Sequence, residues 1–399
     1  MDGHYDAIVV GARCAGSPVA MLLARKGYRV LLLDRAAFPS DTLSTHVVQP
    51  LGVAALSRWG LADRLAATGC PPINTYAFDF GPITIAGAPG TADAPVAYCP
   101  RRTVLDKILV DAAVEAGAEL RQNVAVDEPM IEDGRVVGVV GRDAGGKRFA
   151  ARARAVVGAD GRNSRIARAV KAEEYNARPP LLAAYYSYWS GLPLNGRFEI
   201  FVRPQRAFAA AETHDGLTMV IAGWPIAEFE ANKKDVEGHY CRTLELVPAF
   251  AERLHGARRE QQIRGAVLSN FFRKPYGPGW ALVGDAAYHK DSITAQGITD
   301  AFREAEQCAG ALDQAFSGAC PFDQAMARYQ HDRDQRVLPM YEFTCQLATL
   351  EPPPAEMQQL LAAIHGKQEA MDAFARMNAG TISPAEFFAP HLGASTAAV

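Results

Sequence analysis

Residues 5–10 (Tyr-Asp-Ala-Ile-Val-Val) form an apolar run that breaks at Gly11-Ala12-Arg13-Cys14-Ala15-Gly16, and a second run, 28–33 (Tyr-Arg-Val-Leu-Leu-Leu), stops at Asp34. Small and apolar residues fill the interval from Cys14 to Lys26, which Gly27 closes. The pattern predicts strand, tight turn, helix and strand within about 30 residues, the length a parallel crossover requires. Strands joined in this way belong to a buried parallel sheet, so all-α and all-β architectures are excluded at the outset. Gly11 permits the tight turn, Gly16 lets the helix approach the strand, and the helix N-terminus offers free N–H groups to a pyrophosphate. Arg13 occupies the usual place of a middle glycine. Asp34 follows Gly11 by 23 residues, close to the roughly 20 at which a carboxylate holds a ribose hydroxyl. Gly11, Ala12, Arg13, Cys14, Ala15, Gly16, Asp34 and the adjoining Arg35 are the candidate dinucleotide-binding residues. A crossover that binds nothing has the same outline, so the rest of the chain must decide.

Two further short apolar strands end in similar turns. Residues 154–158 run into Gly158-Ala159-Asp160-Gly161, and residues 280–283 into Gly284-Asp285-Ala286-Ala287. Gln296-Gly297-Ile298 then opens a helix expected to reach Phe316. A bare Asp-Gly is usually a simple turn, whereas a strand-end aspartate can hold ribityl or ribose hydroxyls. A helix N-terminus can also stabilise a ring that turns anionic on reduction. Apolar spacing predicts a helix over 102–116, and a hairpin is expected around the turn at 132–134. Between about 175 and 275 the aromatic residues Tyr185, Tyr186, Tyr188, Trp189, Phe198, Phe201, Phe208 and Trp224 alternate as in strands, which predicts a mostly antiparallel sheet. The Pro-, Gly- and Ala-rich stretch 71–95 is assigned to the same lobe. Helices are expected after Pro354, with residues 393–399 fraying.

With 399 residues, the chain has room for two lobes. Its 49% apolar content can bury a core, and a net charge of −3 gives no bulk attraction to nucleic acid or an anionic membrane. No apolar stretch approaches the roughly 20 residues of a membrane span. The N-terminus lacks the basic-then-apolar pattern of a signal peptide. Seven cysteines scattered without a CxxC are expected to be reduced thiols, which points to the cytoplasm and away from a zinc site.

Taken together, the N-terminal dinucleotide turn, the mid-chain Asp160-Gly161 and the late Gly284-Asp285 resemble the p-hydroxybenzoate hydroxylase-like FAD-dependent flavoprotein monooxygenases in order and spacing. Arg102-x-x-Leu105-Asp106 matches at the helix where that family places an arginine near the flavin phosphates. The resemblance implies an α/β fold with a discontinuous Rossmann-type FAD-binding domain (1–70, 96–174 and 275–345). It also implies a mostly antiparallel substrate domain (71–95 and 175–274) and a C-terminal helical segment (346–399). FAD would lie extended across Gly11–Gly16, Asp34, Arg35, Arg102, Val126, Asp160, Gly161, Gly284, Asp285, Gln296, Gly297 and Ile298, with NADPH or NADH as transient electron donor. The expected activity is hydroxylation or epoxidation of an apolar, aromatic or polycyclic small molecule by O2 through a flavin C4a-hydroperoxide.

The chain departs from its relatives at defined places. The run after Ala287 is Tyr288-His289-Lys290-Asp291-Ser292-Ile293-Thr294-Ala295, without the proline common there. Flavin halogenases carry a Trp-x-Trp-x-Ile-Pro run and a catalytic lysine; here Gly223-Trp224-Pro225-Ile226 stands instead, and residues 70–100 hold no lysine. Halogenation is therefore not expected. Flavin reductases of isoprenoid double bonds, an alternative reading, typically carry Cys-Gly just after the ribose acid, where this chain has Ser44-Thr45-His46. A redox-silent protein using FAD as scaffold for cyclisation or binding is the other alternative. His46 and His289 are the acid/base candidates, each also readable as a hydrogen-bonded structural residue. Tyr186, Tyr188, Phe201, Arg206 and Trp224 are the substrate-binding candidates, although alternating aromatics also build cores. The charge run Arg328–Arg336 is expected to be a solvated helix face.

Overall fold

The computed structural model describes residues 4–392, with side chains to residue 389; residues 393–399, expected to fray, lie outside the described residues. His4–Val10 is the centre of a sheet whose strands run in the order Tyr276–Gly277, Trp280–Leu282, Arg148–Gly158, His4–Val10, Val30–Leu33, Glu119–Arg121. The four pairings from Trp280–Leu282 through to Glu119–Arg121 are parallel. Ala125–Glu132 and Arg135–Arg142 extend Arg148–Gly158 as an antiparallel hairpin. The expected crossover is present: Gly16–Arg25 is helical and nearly all its residues are buried. It packs with the helices Arg102–Glu115 and Gly297–Phe316 over one face of the sheet, around Val9, Val19, Leu23, Leu32, Leu109, Phe302 and Leu312.

The register of this sheet matters most for function. Val10 lies opposite both Leu33 and Gly158, and Gly158 lies opposite Leu282. Motifs separated by more than a hundred residues in sequence therefore leave the sheet along one edge, at the carboxyl ends of its strands, where open α/β sheets bind ligands.

A second sheet runs Arg258–Arg259, Leu182–Ser190, Leu217–Pro225, Arg206–Glu212, Arg197–Arg203, Thr75–Asp79, Thr84–Gly87, with Arg264–Val267 also paired to Leu182–Ser190. All its pairings are antiparallel except Arg197–Arg203 with Thr75–Asp79. Its inner face carries Tyr76, Phe78, Tyr186, Tyr188 and Phe198, packed on Val47, Cys99 and Ala295 and on the helices Ala355–Ile364, Gln368–Asn378 and Pro384–Leu392. Its outer face carries Phe201, Phe208, Val220 and Trp224 beneath Tyr240, Leu244 and Phe250.

Two sequence expectations need correction. Residues 226–254 are not sheet: they form the helices Ile226–Asn232, Val236–Glu245 and Pro248–Leu254. Tyr240, Thr243 and Leu244 are buried at helical spacing, and the aromatic alternation of the neighbouring strands masked that signal. Nor is the run Arg328–Arg336 simply solvated. Arg333, on the helix Phe322–Leu347, is fully buried and donates to the carbonyls of Arg273 and Ala287 and to Tyr175 Oη.

Candidate active site

The glycine turn is built with no spare volume. A Cβ on Gly11 would lie 2.3 Å from Ala159 O, and one on Gly16 would lie 1.8 Å from Gly11 O. Gly11 has φ +105°, which favours glycine. Arg13 does not block the turn, because its guanidinium swings onto Asp106 Oδ2 (2.6 Å) and Ser40 Oγ (2.9 Å). Asp106 is buried and is also held by Arg102 through contacts of 2.9–3.0 Å. One carboxylate thus fixes two arginines and ties the 35–46 segment to the Arg102–Glu115 helix. Cys14 Sγ also approaches Asp106, at 3.3 Å, and burial pushes this thiol well up from its usual range. Asp34 accepts from Ala12 N (2.7 Å) and Ala36 N (2.8 Å), which aims its carboxylate across the turn. Arg35 is exposed beside it. Val126 is buried, and its carbonyl accepts from Arg165 Nη1 at 3.2 Å.

Asp160 has a local task. Its carboxylate accepts from Ser164 Oγ (2.5 Å) and Arg165 N (2.7 Å), which organises the start of the Arg165–Ala169 helix. Nothing lies within 4 Å of a Cβ built on Gly161 or Gly297, so both positions border open space. The pinched turn, the ribose-distance acid, the two arginines held by buried Asp106 and these open positions fit FAD.

At the other end of the edge, Gly284 (φ +62°) donates its N–H to Glu304 Oε2 at 3.0 Å. Burial pushes the Glu304 carboxyl up to about 8, and its Oε1 has no partner among the described residues. Asp285 is half-exposed and lies 3.9 Å from His289 Nε2. His289 Nδ1 meets Ser269 O at 2.6 Å, and the ring stacks on Phe271. Lys290 is buried in an ion pair with Asp300 and also donates to Tyr288 Oη at 2.8 Å. Gln296 is buried and donates to Asn378 O at 3.0 Å, which joins the opening of the Gly297–Phe316 helix to the C-terminal helices.

His46 is fully buried at φ +64°, an uncommon conformation for a residue with a Cβ. Tyr188 Oη lies 2.7 Å from its Nε2, while its Nδ1 has no partner among the described residues. Burial, assisted by the Arg102 charge, lowers the imidazole to about 4, so it is neutral near pH 7. Tyr186 meets both rings edge-on, and the Arg101 guanidinium sits 4.6 Å from the Tyr188 ring centroid. Gln49 Oε1 accepts from Tyr76 Oη at 2.5 Å nearby.

The substrate-binding candidates divide between the two faces of the second sheet. Tyr186 and Tyr188 face His46. Phe201 and Trp224 lie in the outer core, and Arg206 is taken by Glu228 through contacts of 2.8 and 2.6 Å. The structure therefore corrects the grouping of these three with the tyrosines, because strand alternation sends neighbouring residues to opposite sides. Arg101, Gln49 and Lys290 were missed as site residues, and Asp106 was noted within the Arg102 motif without its role of holding both arginines. The adjacent pair Arg101-Arg102 was the available signal, since neighbouring residues at a helix start cannot share one direction.

A family model described as FAD binding domain matches residues 4–223. Digeranylgeranylglycerophospholipid reductase 2 of Methanopyrus kandleri is 34% identical over 311 residues, covering 74% of this chain and 73% of its own length. Digeranylgeranylglycerophospholipid reductase of Methanocella arvoryzae is 27% identical over 354 residues, covering 82% of each chain. The solved structure of a myxobacterial chondrochloren halogenase, a variant of FAD-dependent halogenases, matches with TM-score 0.81 at 23% identity, covering 94% of this chain and 97% of that one. That last likeness is one of fold.

Proposed function

Because the chain belongs to the FAD binding domain family of oxidoreductases, we propose that it is an FAD-dependent reductase of carbon–carbon double bonds in an isoprenoid substrate. The observation that carries this reading is the 34% identity to a digeranylgeranylglycerophospholipid reductase over 311 residues, 74% of this chain. This puts the reading first expected as the alternative ahead of monooxygenation. The inner face of the second sheet suits such a substrate, being apolar and aromatic with few polar groups.

When bound, FAD reduced by NADPH or NADH supplies the hydride. In this reading residues 1–70, 96–174 and 275–345 hold the cofactor, and 71–95 with 175–274 hold the substrate. Gly11–Gly16 and Asp34 bind the adenosine and pyrophosphate end, with Arg35 and Val126 beside it. Arg102, Gly284, Asp285, Gln296, Gly297 and Ile298 bind the flavin end, and Asp160-Gly161 borders the nicotinamide groove. His289 positions Asp285 through their contact. His46 and Tyr188 share one proton across their hydrogen bond and hand over the proton that must accompany each hydride. Burial keeps water from that pair.

Monooxygenation is the second reading, favoured by one observation: Ser44-Thr45-His46 stands where related reductases carry Cys-Gly. Incubating FAD-loaded protein with NADPH or NADH and a geranylgeranyl lipid, with and without air, separates the readings. Product gaining two hydrogens per reduced bond, with or without air, supports reduction. Product gaining an oxygen atom only in air supports monooxygenation. A flavin that neither nicotinamide ever bleaches would instead make the protein a redox-silent FAD scaffold.

A further inference from the structure

Arg101 and Arg102 are consecutive but lead opposite lives. Arg102 is buried against Asp106 on the side of the glycine turn. Arg101 precedes the helix with extended backbone (φ −57°, ψ 139°), and its guanidinium lies over the Tyr188 ring of the second sheet. Among the described residues Arg101 forms no ion pair, and its buried Nε has no hydrogen-bond partner. Neighbouring arginines are matched: Arg13 and Arg102 by Asp106, and Arg264 by Asp41 at 3.8 Å. Leaving a partly buried guanidinium N–H unmet is unfavourable unless something arrives to accept from it.

A second unmet polar atom converges on the same tyrosine. His46 is fully buried, its Nε2 engages Tyr188 Oη, and its Nδ1 has no partner among the described residues. The segment around Arg101 is anchored: its backbone N–H donates to His214 Nδ1 (3.1 Å), and His214 Nε2 meets Thr68 Oγ1 (2.8 Å). Strand pairing sets Arg264 directly opposite Tyr186, but Asp41 already answers its charge, which leaves Arg101 as the cation without a carboxylate on this face among the described residues. An aromatic wall, an anchored guanidinium fork without a carboxylate and a neutral histidine are the parts of an oxyanion-recognition site.

We propose that Arg101, stacked on Tyr188 beside His46, binds the oxyanion head group, carboxylate or phosphate, of an otherwise apolar substrate. The inference rests on the isoprenoid reading above for the apolar part only. Arg101 is a specificity residue: it selects for charged head groups and takes no part in holding FAD, which falls to Arg102.

The test is equilibrium binding to the FAD-loaded full chain of three probes with one prenyl tail: farnesyl phosphate, farnesoic acid and neutral farnesol. Wild type should bind at least one anion about 10-fold or more tightly than the alcohol. Arg101→Gln should weaken anion binding by about 10- to 100-fold, leave the alcohol within about 2-fold, and leave FAD content unchanged. Arg101→Lys should keep more affinity for the phosphate than for the carboxylate, because the ammonium lacks the planar fork. This also identifies which oxyanion the site prefers. Equal binding of anion and alcohol by wild type, no binding of either anion, or parallel loss of all three probes in Arg101→Gln would overturn the proposal. The two readings fail separately. Reduction of a neutral isoprenoid without anion preference removes the head-group site alone, while anion preference without double-bond reduction removes the reductase alone.

Discussion

The two faces of the second sheet are made from the same strands and from similar residues, yet they meet different partners. On the outer face Tyr185 stacks on Trp224, Phe201 stacks on Phe208, and Phe250 closes over both phenylalanines. The Tyr240 hydroxyl there donates to Val220 O and accepts from Trp189 Nε1. On the inner face Tyr186, Tyr188 and Tyr76 stand against His46, Gln49 and Arg101, with two buried nitrogens unmet. Among the described residues the outer face leaves one buried nitrogen unmet, Trp224 Nε1, inside a closed apolar core, whereas the two unmet nitrogens of the inner face converge on one tyrosine.

The contrast is open to direct attack. Trp224→Ala should remove about 3–5 kcal/mol of stability, the usual loss for a fully buried indole, without changing the ratio of anion to alcohol binding. Urea unfolding beside the prenyl-probe assay measures both. A change in that ratio would show that the two faces are coupled. Tyr188→Phe should lower stability by only about 1–3 kcal/mol, the loss of a hydrogen bond that leaves a buried nitrogen unmet. It should nonetheless slow substrate turnover by about 10- to 100-fold. Normal turnover in Tyr188→Phe would make the inner face structural, like the outer one.

The smallest effect is one of pH. The folded state holds His46 at about 4, below the roughly 6.5 of a free histidine, so between these values the unfolded chain binds the extra proton. His46 therefore favours folding above about pH 6.5, and that contribution fades as pH falls towards 4. Melting curves of wild type and His46→Gln over this window should converge at the acid end. Parallel curves would mean that His46 is not held neutral by burial.

Much of the cofactor edge was legible in the sequence because its signals are local. Gly11, Asp34 and Gly284 sit at strand ends that short apolar runs announce, and the observed register aligns those ends. The tyrosine face was half legible. Alternation marked Tyr186, Tyr188, Phe201 and Trp224 as aromatic strand residues, but gave no sign that the last two belong to another core. The helices at 226–254 were hidden among aromatic strands, and Arg333 looked solvated because its partners Tyr175 and Arg273 are distant in sequence.

By itself the sequence determined the crossover, the pinched turn, the ribose-distance acid and the family they point to. Those depend on backbone sterics and periodicity within a few turns of chain. Only the tertiary structure decided which aromatic face meets His46, that Asp106 takes both Arg13 and Arg102, and that Arg101 is left facing Tyr188 without a carboxylate. Each of these joins segments far apart along the chain. A period of two assigns residues to opposite faces, but which face is covered, and by what, is set by packing between elements that no local pattern encodes.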